Sequence, residues 1–417
     1  MELRPGYKRT EVGVIPEGWA VTTLGKVAQF RTGPFGSALH KSDYTADGIP
    51  VINPMHIIDG DLSPSAEMSV TEEAARKLTD FRLKAGEVVL GRRGDMGRCA
   101  LVQRKHEGWL CGTGSMIVRP GSAIEPGFLS RILSSPSVVA SIEQTSVGST
   151  MINLNQGTLR SLLVQLPPVS EQRAIATALS DVDALLTQLD RLIAKKRDIK
   201  QAAMQQLLTG KTRLPGFGGE WQGVGLREIA TFRTGPFGSA LHKSDYTFDG
   251  VPVINPMHII DGKLVPTAAM SVTESAAQGL SEFRLRENDL VIGRRGEMGR
   301  CAVVKRESDG WLCGTGSMIV RTIGSVDPSY LQRVLASPSV VSAIEESSVG
   351  STMINLNQEV LGSLTVQLPA FEEQTAIATL LSDLDAELSA LKARRAKTRT
   401  LKQGMMQALL TGRTRLP

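Results

Sequence analysis

The sequence has few of the residues that build metal centres or disulfide frameworks. Among 417 residues there are four cysteines and five histidines, with no Cys-x-x-Cys pair and no zinc-ligand spacing. We therefore expect Cys99 and Cys111 to be buried small side chains in a reducing compartment. No stretch approaches the roughly 18 apolar residues of a membrane span, and the N-terminus lacks the apolar region of a signal peptide. The sequence predicts a cytoplasmic protein without a membrane partner.

Catalytic motifs are also missing. No Glu-x-Lys triplet of a nuclease occurs, and Gly112–Ser115 has neither the lysine of a Walker loop nor dinucleotide-binding spacing. We interpret that segment as a turn before a strand, with backbone N–H groups available to a phosphate. The segment Asn53-Pro54-Met55-His56 lacks the second proline and the aromatic of an amino-methyltransferase loop, so it is interpreted as a turn. We predict a non-catalytic chain that binds no metal and no cofactor of its own.

An internal repeat organises the whole chain. The fifteen residues 31–45 recur unchanged at 233–247, and 146–156 recur at 348–358. The tryptophans and cysteines follow the same offset of 202 residues, so no insertion or deletion separates the two copies. The protein is predicted to consist of two similar halves.

Each half begins with a mixed α/β globule and ends with a long helix. Short β-branched runs broken by Gly, Pro and Asn alternate with helical stretches such as Thr71–Leu78 and Pro126–Leu133. The predicted divisions are an N-terminal segment 1–23, a globule 24–165, a helix 166–213, a linker 214–225, a globule 226–367 and a helix 368–417.

The helices carry an apolar seam with the 4-3-4-3 spacing of a coiled coil. Its members are Ile175, Leu179, Val182, Leu186 and Leu189, then Ile377, Leu381, Leu384, Leu388 and Leu391. Gly210 and Gly412 stand where helix-terminating glycines are expected. Each globule leads directly into its helix, and the first helix ends close to the second globule. The two helices, each on the order of 60 Å long, are therefore predicted to pair antiparallel with pseudo-twofold symmetry.

Nucleic-acid binding is the chemistry that the loops favour. The net charge is +5 and the pI near 9.0. The repeated loops combine side chains that bond phosphates with Arg, Asn and Gln, which can read base edges. The candidates in the first half are Arg31, Thr32, Ser37, His40, Lys41, Ser42, Tyr44, Asn53, His56, Arg92, Arg93, Arg98, Thr113, Ser115, Ser149, Thr150, Asn153, Asn155 and Gln156. Those in the second half are Arg233, Thr234, Ser239, His242, Lys243, Ser244, Tyr246, Asn255, His258, Arg294, Arg295, Arg300, Thr315, Ser317, Ser351, Thr352, Asn355, Asn357 and Gln358.

A structural interpretation of the same residues stays open. Phe35, Leu39 and Ile152 could be core residues, and the arginines could form surface ion pairs. The basic runs 195–197 and 394–397 are interpreted as solvated helix faces, with contact to DNA or a partner as the alternative.

The pattern resembles the specificity subunit of type I restriction–modification systems. The motifs are Glu11-Val-Gly-Val-Ile-Pro-Glu-Gly-Trp19, the helix entries 166–175 and 368–377 with their shared Glu-Gln pair, and the exits 207–215 and 409–417. The resemblance covers essentially the whole chain. It implies two target recognition domains joined by spacer helices, in a bacterial or archaeal cytoplasm. It also implies double-stranded DNA, two methyltransferase subunits and restriction subunits as partners, with S-adenosylmethionine, ATP and Mg²⁺ in those partners.

The near identity of the two halves is unusual for that family, whose recognition domains normally differ. We therefore expect a bipartite target that is an interrupted inverted repeat, with the helices setting its gap. The alternatives are a specificity subunit of a type IIB-like or other phage-defence system, a coiled-coil scaffold that binds no DNA, and a fused methyltransferase or nuclease.

Overall fold

The computed structural model describes residues 5–35, 38–144, 154–237, 240–347 and 355–417, without the side chain of Lys41. The chain forms two compact units. One contains the residues up to Asp190 together with Ala393–Pro417, and the other contains Arg191–Lys392. In the described ranges, no helix is both long and apolar enough to cross a membrane.

Short strands build most of the globule in the first half. They are β1 (Tyr7–Thr10), β2 (Gly13–Pro16), β3 (Ala20–Thr23), β4 (Ala28–Thr32), β5 (Tyr44–Thr45), β6 (Ile49–Ile52), β7 (Ile57–Ile58), β8 (Asp61–Leu62), β9 (Ser69–Val70), β10 (Val88–Gly91), β11 (Cys99–Leu101), β12 (Leu110–Cys111), β13 (Ser115–Pro120) and β14 (Leu163–Leu166). The main sheet is antiparallel in the order β11-β10-β13-β4, and a second sheet has the order β12-β6-β9-β5. Strand β3 pairs with β14 and so joins the two ends of the globule.

Helices cover these sheets. They are α1 (Leu24–Val27), α2 (Glu72–Lys77), α3 (Pro126–Leu133), α4 (Pro136–Gln144) and α5 (Gln156–Ser161), with short 3₁₀ turns at Lys41–Asp43, Pro54–His56, Thr79–Phe81 and Arg104–His106. The predicted helix at Pro126–Leu133 is confirmed. The helix predicted from Thr71 begins one residue later, because the Thr71 hydroxyl accepts a hydrogen bond from the Ala74 N–H and caps it.

The long helices are α6 (Val169–Leu207) and α12 (Phe371–Leu410). Gly210 and Gly412 follow them with φ of +68° and +67°, the left-handed conformation expected of a terminating glycine.

The second half repeats the same elements. Its strands are β15 (Gln222–Gly225), β16 (Ala230–Thr234), β17 (Tyr246–Thr247), β18 (Val251–Ile254), β19 (Ile259–Ile260), β20 (Lys263–Leu264), β21 (Ser271–Val272), β22 (Leu290–Gly293), β23 (Cys301–Val303), β24 (Leu312–Cys313), β25 (Ser317–Thr322) and β26 (Thr365–Leu368). Its helices are α7 (Leu226–Ile229), α8 (Glu274–Gly279), α9 (Pro328–Leu335), α10 (Pro338–Glu346) and α11 (Gln358–Ser363). Its sheets run β16-β25-β22-β23 and β17-β21-β18-β24. The predicted mixed α/β repeat is confirmed.

The main sheet is buried on both faces, which explains its continuous apolar runs. In β10, Val88 and Leu90 point into the core beneath α3, whereas Val89 points into a separate cluster with Ile52 and Ile117. Side chains alternate between the faces of a strand, so a strand covered on both sides needs apolar residues at every position.

Ion pairs within each unit show that the long helices run antiparallel. In the first unit, Asp183 pairs with Lys402 and Asp190 with Arg395, so the numbers rise along one helix as they fall along the other. In the second unit, Lys196 pairs with Glu387 and Lys200 with Asp385 in the same sense. The antiparallel pairing is confirmed.

The apolar seam is buried unevenly. Ile175 and Leu179 are fully buried, but they pack into the core of the first globule together with Leu409. Ile377 and Leu381 do the same in the second unit with Leu207 and Leu208. The buried members also include Leu189 and Leu388, whereas Val182, Leu186, Leu384 and Leu391 are half-buried. The first turns of each helix thus belong to a globule core as much as to a coiled coil.

Candidate nucleic-acid interface

Five loop segments of the first half meet at one end of its main sheet. The Gly33 N–H donates to the Ser115 carbonyl, and a Cβ on Gly33 would stand 1.9 Å from the Gly112 carbonyl oxygen, so only glycine fits there. Gln156 Nε2 donates to Thr32 Oγ1 at 3.0 Å. These contacts tie the segment after β4 to the turn before β13 and to the start of α5.

Two more segments join them. The Arg92 N–H donates to the Gly114 carbonyl, and the Leu154 N–H donates to the Arg92 carbonyl. The Gly114 N–H donates to Asn53 Oδ1 at 3.3 Å. We call the first-half residues 31–35, 53–56, 92–98, 112–115 and 154–156 the loop surface.

The second half has an equivalent loop surface, at 233–237, 255–258, 294–300, 314–317 and 355–358. Gln358 Nε2 donates to Thr234 Oγ1 at 3.1 Å, and the Gly316 N–H donates to Asn255 Oδ1 at 3.3 Å. A Cβ on Gly235 would stand 2.0 Å from the Gly314 carbonyl oxygen. The two halves therefore build the surface with the same contacts.

Several predicted DNA contacts are buried instead. Arg92 is 6% exposed and its Nε donates to the Leu154 carbonyl at 2.9 Å; Arg294 is 4% exposed and donates likewise to Leu356. Burial and the neighbouring charge of Arg93 lower the pKa of Arg92. We remove Arg92, Arg294 and the buried hydroxyls of Ser115 and Ser317 from the interface, because no duplex can reach them in this conformation.

The histidines of the turn after β6 and β18 are buried as well. His56 is 3% exposed, and its Nδ1 accepts a hydrogen bond from the Asn53 N–H at 3.2 Å. Desolvation lowers the pKa of His56 and of His258, so both rings are neutral at pH 7. They hold the turn closed and are also removed from the interface.

The exposed arginines fall into two groups. Arg31 pairs with Asp80 at 2.8 Å and Arg233 with Glu282, while Arg98 and Arg300 pair with acids three residues before them. Arg93 and Arg295 are exposed, and no carboxylate in the described part of the chain pairs with either. Arg93 and Arg295 can therefore contact a phosphate without first breaking an ion pair.

The remaining candidates lie on or beside the loop surfaces. Tyr44 is half-buried beside Asn53, to which it is hydrogen-bonded, and burial raises its pKa; Tyr246 and Asn255 repeat this arrangement. Asn155 and Asn357 cap α5 and α11, since their Oδ1 atoms accept backbone N–H groups. The exposed or half-exposed remainder comprises His40, Ser42, Thr113, His242, Lys243, Ser244, Thr315 and Asn355. Ser37, Ser149, Thr150, Asn153, Ser239, Ser351, Thr352 and the side chain of Lys41 lie outside the described residues.

A buried glutamine fastens each globule to its long helix. Gln172 is fully buried; its Nε2 donates to the carbonyls of Pro167 and Ala123, and its Oε1 accepts from the Glu125 N–H at 2.8 Å. Gln374 repeats these contacts. The glutamine of the Glu-Gln motif thus joins the helix entry to the loop before α3 or α9.

A shared aspartate makes the second attachment. Asp183 lies between Arg131 of α3, at 2.6 Å, and Lys402 of α12, at 2.5 Å. In the second unit Asp385 lies between Arg333 of α9 and Lys200 of α6. One carboxylate therefore ties a globule helix to both long helices.

Sequence reasoning missed two features of these surfaces. Phe35, considered as a possible core residue, is 53% exposed, and so is its counterpart Phe237. An exchange of arginine between facing helices was also missed. Arg160 of α5 lies over Gly25 of α1, whereas in the second half Arg227 of α7 lies over Gly362 of α11. Alignment of the copies shows two separate substitutions, and the structure shows that the two positions contact each other in both halves.

The described residues contain no group of His, Cys, Asp and Glu arranged to hold a metal ion. The four cysteines are buried, and burial raises the pKa of Cys99 to about 11.

Comparisons with known proteins match the whole layout. The family model for the type I restriction modification DNA specificity domain matches twice, at residues 16–200 and 218–398. The type I restriction enzyme MjaVIII specificity subunit of Methanocaldococcus jannaschii is 21% identical over 96% of this chain and 94% of its own length. The EcoKI specificity subunit of Escherichia coli K12 is 21% identical over 90% of this chain and 83% of its own.

A solved structure shares the fold. The S subunit of a type I restriction–modification system from M. genitalium superposes with a TM-score of 0.61 at 17% identity, covering 98% of each chain. The family match over both halves shows that this chain belongs to the type I restriction–modification DNA specificity family and is a non-catalytic DNA-specificity subunit of such a system.

Proposed function

We propose that the two loop surfaces are the DNA-binding surfaces of this subunit. The observation that carries the proposal is the convergence, in each half, of the same exposed arginine, threonine and amide side chains on one set of glycine-tight turns. In this proposal Arg93 and Arg295 contact phosphates, and Gln156 and Gln358 contact base edges.

Both domains read the same half-site, in opposite senses, so that the target is an interrupted inverted repeat. Support comes from the near identity of the two loop surfaces, which differ only at Asp95 and Glu297, and from the hydrogen bonds that they share. The antiparallel course of the long helices supports the reversal of direction. Single-molecule sequencing of methylated bases, in cells carrying this subunit with its methyltransferase, tests it. Two unrelated half-sites, or a direct repeat, would refute the proposal.

The reaction takes place in partner subunits. Two methyltransferase subunits supply S-adenosylmethionine chemistry, and restriction subunits supply ATP- and Mg²⁺-dependent translocation and cleavage, all in the cytoplasm. Support comes from the family match.

Binding of the assembled complex to duplex DNA tests the loop surfaces directly. Replacing Arg93 and Arg295 with serine should reduce the salt dependence of log K by about one unit per lost phosphate contact. Arg76→Ser is a matched control, because Arg76 is exposed on α2 and its counterpart in the second half is Gln278. An unchanged salt slope in the double variant would remove these arginines from the interface.

The helices set the gap between the half-sites. Removing one heptad from each helix shortens it by ~10 Å, about three base pairs at 3.4 Å each. Methylation mapping should then show a gap shorter by about three base pairs, or no methylation at all. A target with an unchanged gap would contradict the role of the helices as a spacer.

A further inference from the structure

Phe35 and Phe237 are aromatic side chains exposed at corresponding positions of the two loop surfaces. Each ring is 53% exposed and lies three residues after the end of its strand, β4 at Thr32 or β16 at Thr234. Phe248, in contrast, is 70% exposed in the second half alone, where the first half has Ala46. Phe248 can be a difference between the copies without a shared role, whereas an exposed phenyl ring at the same position of both halves suggests a shared role.

A buried cation lies against each of these rings. The guanidinium carbon of Arg92 is 5.0 Å from the centroid of Phe35, and that of Arg294 is 5.0 Å from Phe237. The Arg92 Nε donates to the Leu154 carbonyl at 2.9 Å, which fixes the side chain. Its buried Nη1 has no hydrogen-bond partner in the described part of the chain. The ring is therefore held on a cation, by the attraction between a cation and an aromatic face. The contact with arginine therefore fixes the orientation of each phenyl ring, although the ring lies outside the protein core.

The chemistry of the ring suits a nucleobase better than a phosphate. A phenyl ring has no hydrogen-bonding group, so it cannot read base edges, but it can stack on a base that has left its neighbour. Apolar side chains inserted at a base step unstack it, and the pyrimidine–purine steps unstack at least cost. The exposed Arg93, two residues from Gly91 at the end of β10, supplies the charge that would hold the backbone nearby.

We propose that Phe35 and Phe237 are base-step wedges, each of which stacks on a base at a pyrimidine–purine step of the half-site bound by its own domain. The proposal rests on the DNA-binding role of the loop surfaces. Arg92 and Arg294 are then positioning residues, which act through the rings and do not touch the DNA. Specificity at that step would come from its ease of unstacking and not from hydrogen bonds.

Fluorescence of 2-aminopurine, which rises when the base loses its stacking neighbour, tests the wedge. The probe replaces each adenine of the mapped target in turn, and the assembled complex is added in the absence of the methyl donor. We expect a rise at one step in each half-site. Phe35→Ala should abolish it in one half-site and Phe237→Ala in the other, and each should weaken binding about 5- to 150-fold, the equivalent of ~1–3 kcal/mol of stacking. Phe35→Leu keeps an apolar side chain that can still separate the bases but has no flat face, so it should keep much of the fluorescence rise and lose part of the affinity.

Controls separate the possible failures. Phe248→Ala should leave both signals and the affinity unchanged. A methyltransferase extrudes its target base from the stack, so a rise at the methylated base is expected in any case and is set aside. Tight, salt-dependent binding without a rise at any other step, or with such a rise that survives both alanine variants, would overturn the wedge and leave the DNA-binding role intact. Loss of methyltransferase docking in Phe35→Ala without DNA would overturn it in favour of a protein contact. No salt-dependent binding by the unaltered complex would overturn the proposed function itself.

Discussion

The strongest test of how a recognition domain is fixed to its helices is the removal of the Asp183 carboxylate. Asp183 receives Arg131 from the globule and Lys402 from the opposite helix, and the three side chains are 29%, 17% and 22% exposed. Replacing Asp183 with asparagine leaves two cations facing each other with their common partner gone. The change is nearly isosteric, so it isolates charge from packing.

The expected cost follows from this partial burial. Exposed ion pairs contribute roughly 0–1 kcal/mol, whereas removal of one partner from a buried pair costs about 3–5 kcal/mol. With only 17–29% of each side chain exposed to water, we expect a cost of about 2–3 kcal/mol for Asp183→Asn. Arg131→Met or Lys402→Met should cost less, about 1 kcal/mol, because the carboxylate keeps its other cation. In a chain that carries both Arg131→Met and Lys402→Met, Asp183→Asn should leave the free energy of unfolding unchanged or raise it, because the carboxylate then has neither of its cations.

Urea unfolding of the full chain measures these differences. At a slope of about 2–3 kcal/mol per M, the midpoint of the first unit should fall by roughly 1 M. Asp181→Asn is the matched control, since Asp181 is exposed on the same helix and has no ion pair among the residues the structure describes. Asp385→Asn and Asp383→Asn repeat the comparison in the second unit. Two results would refute this account of the attachment. One is that Asp183→Asn lowers the free energy of unfolding no more than Asp181→Asn does. The other is that it lowers this free energy as much in the Arg131→Met/Lys402→Met chain as in the unaltered chain.

Three further predictions concern stability. Gln172→Leu should cost about 3 kcal/mol or more in urea unfolding, because it leaves a buried N–H and two carbonyls without partners; a cost below 1 kcal/mol would contradict this. Gly25→Arg should destabilise the first unit, and the added change Arg160→Gly should restore most of the lost stability. A double-mutant cycle should then give a coupling free energy of ~1 kcal/mol or more. If the effects of the two changes simply add, the exchange is not compensation. Folding lowers the pKa values of His56 and His258, so the free energy of unfolding should be highest above pH ~6.5 and fall as the pH falls further. Urea unfolding at a series of pH values should show a smaller fall for His56→Gln and for His258→Gln, and an equal fall would contradict this.

Much of the fold could be predicted because its signals are local or periodic. The offset of the repeat fixes two equivalent units, the apolar spacing predicts the long helices, and Gly210 marks an end that the structure confirms at φ +68°. The turn at Gly112–Ser115 follows from its glycines, and the Ser115 N–H donates to the Gly112 carbonyl as such a turn requires. Each of these features depends on residues close together in the chain.

The candidate site could be predicted only in part, because exposure depends on distant contacts. Arg92 and Arg93 are adjacent and chemically identical, yet one is buried by the Leu154 carbonyl, 62 residues away, and the other faces solvent. Gln172 was recognised as part of a motif, but its role depends on Glu125, 47 residues earlier. No property of a single segment distinguishes these cases, and the assignment of residues that touch bases stays a prediction.

The pattern of divergence between the halves argues that the loop surfaces contact something that did not change. In the buried core most positions are the same in both copies, such as Ile52 and Ile254, and a minority have changed, such as Phe128 and Tyr330. On the exposed loop surface, Phe35, Met55 and Arg93 correspond to the same residues in the second half, although a folded chain tolerates change most easily at exposed positions. If folding alone had constrained the copies, the core would have been kept and the surface would have drifted. The core is largely kept, as folding requires, but these exposed positions have not drifted either. That is what two domains that read one common DNA half-site require.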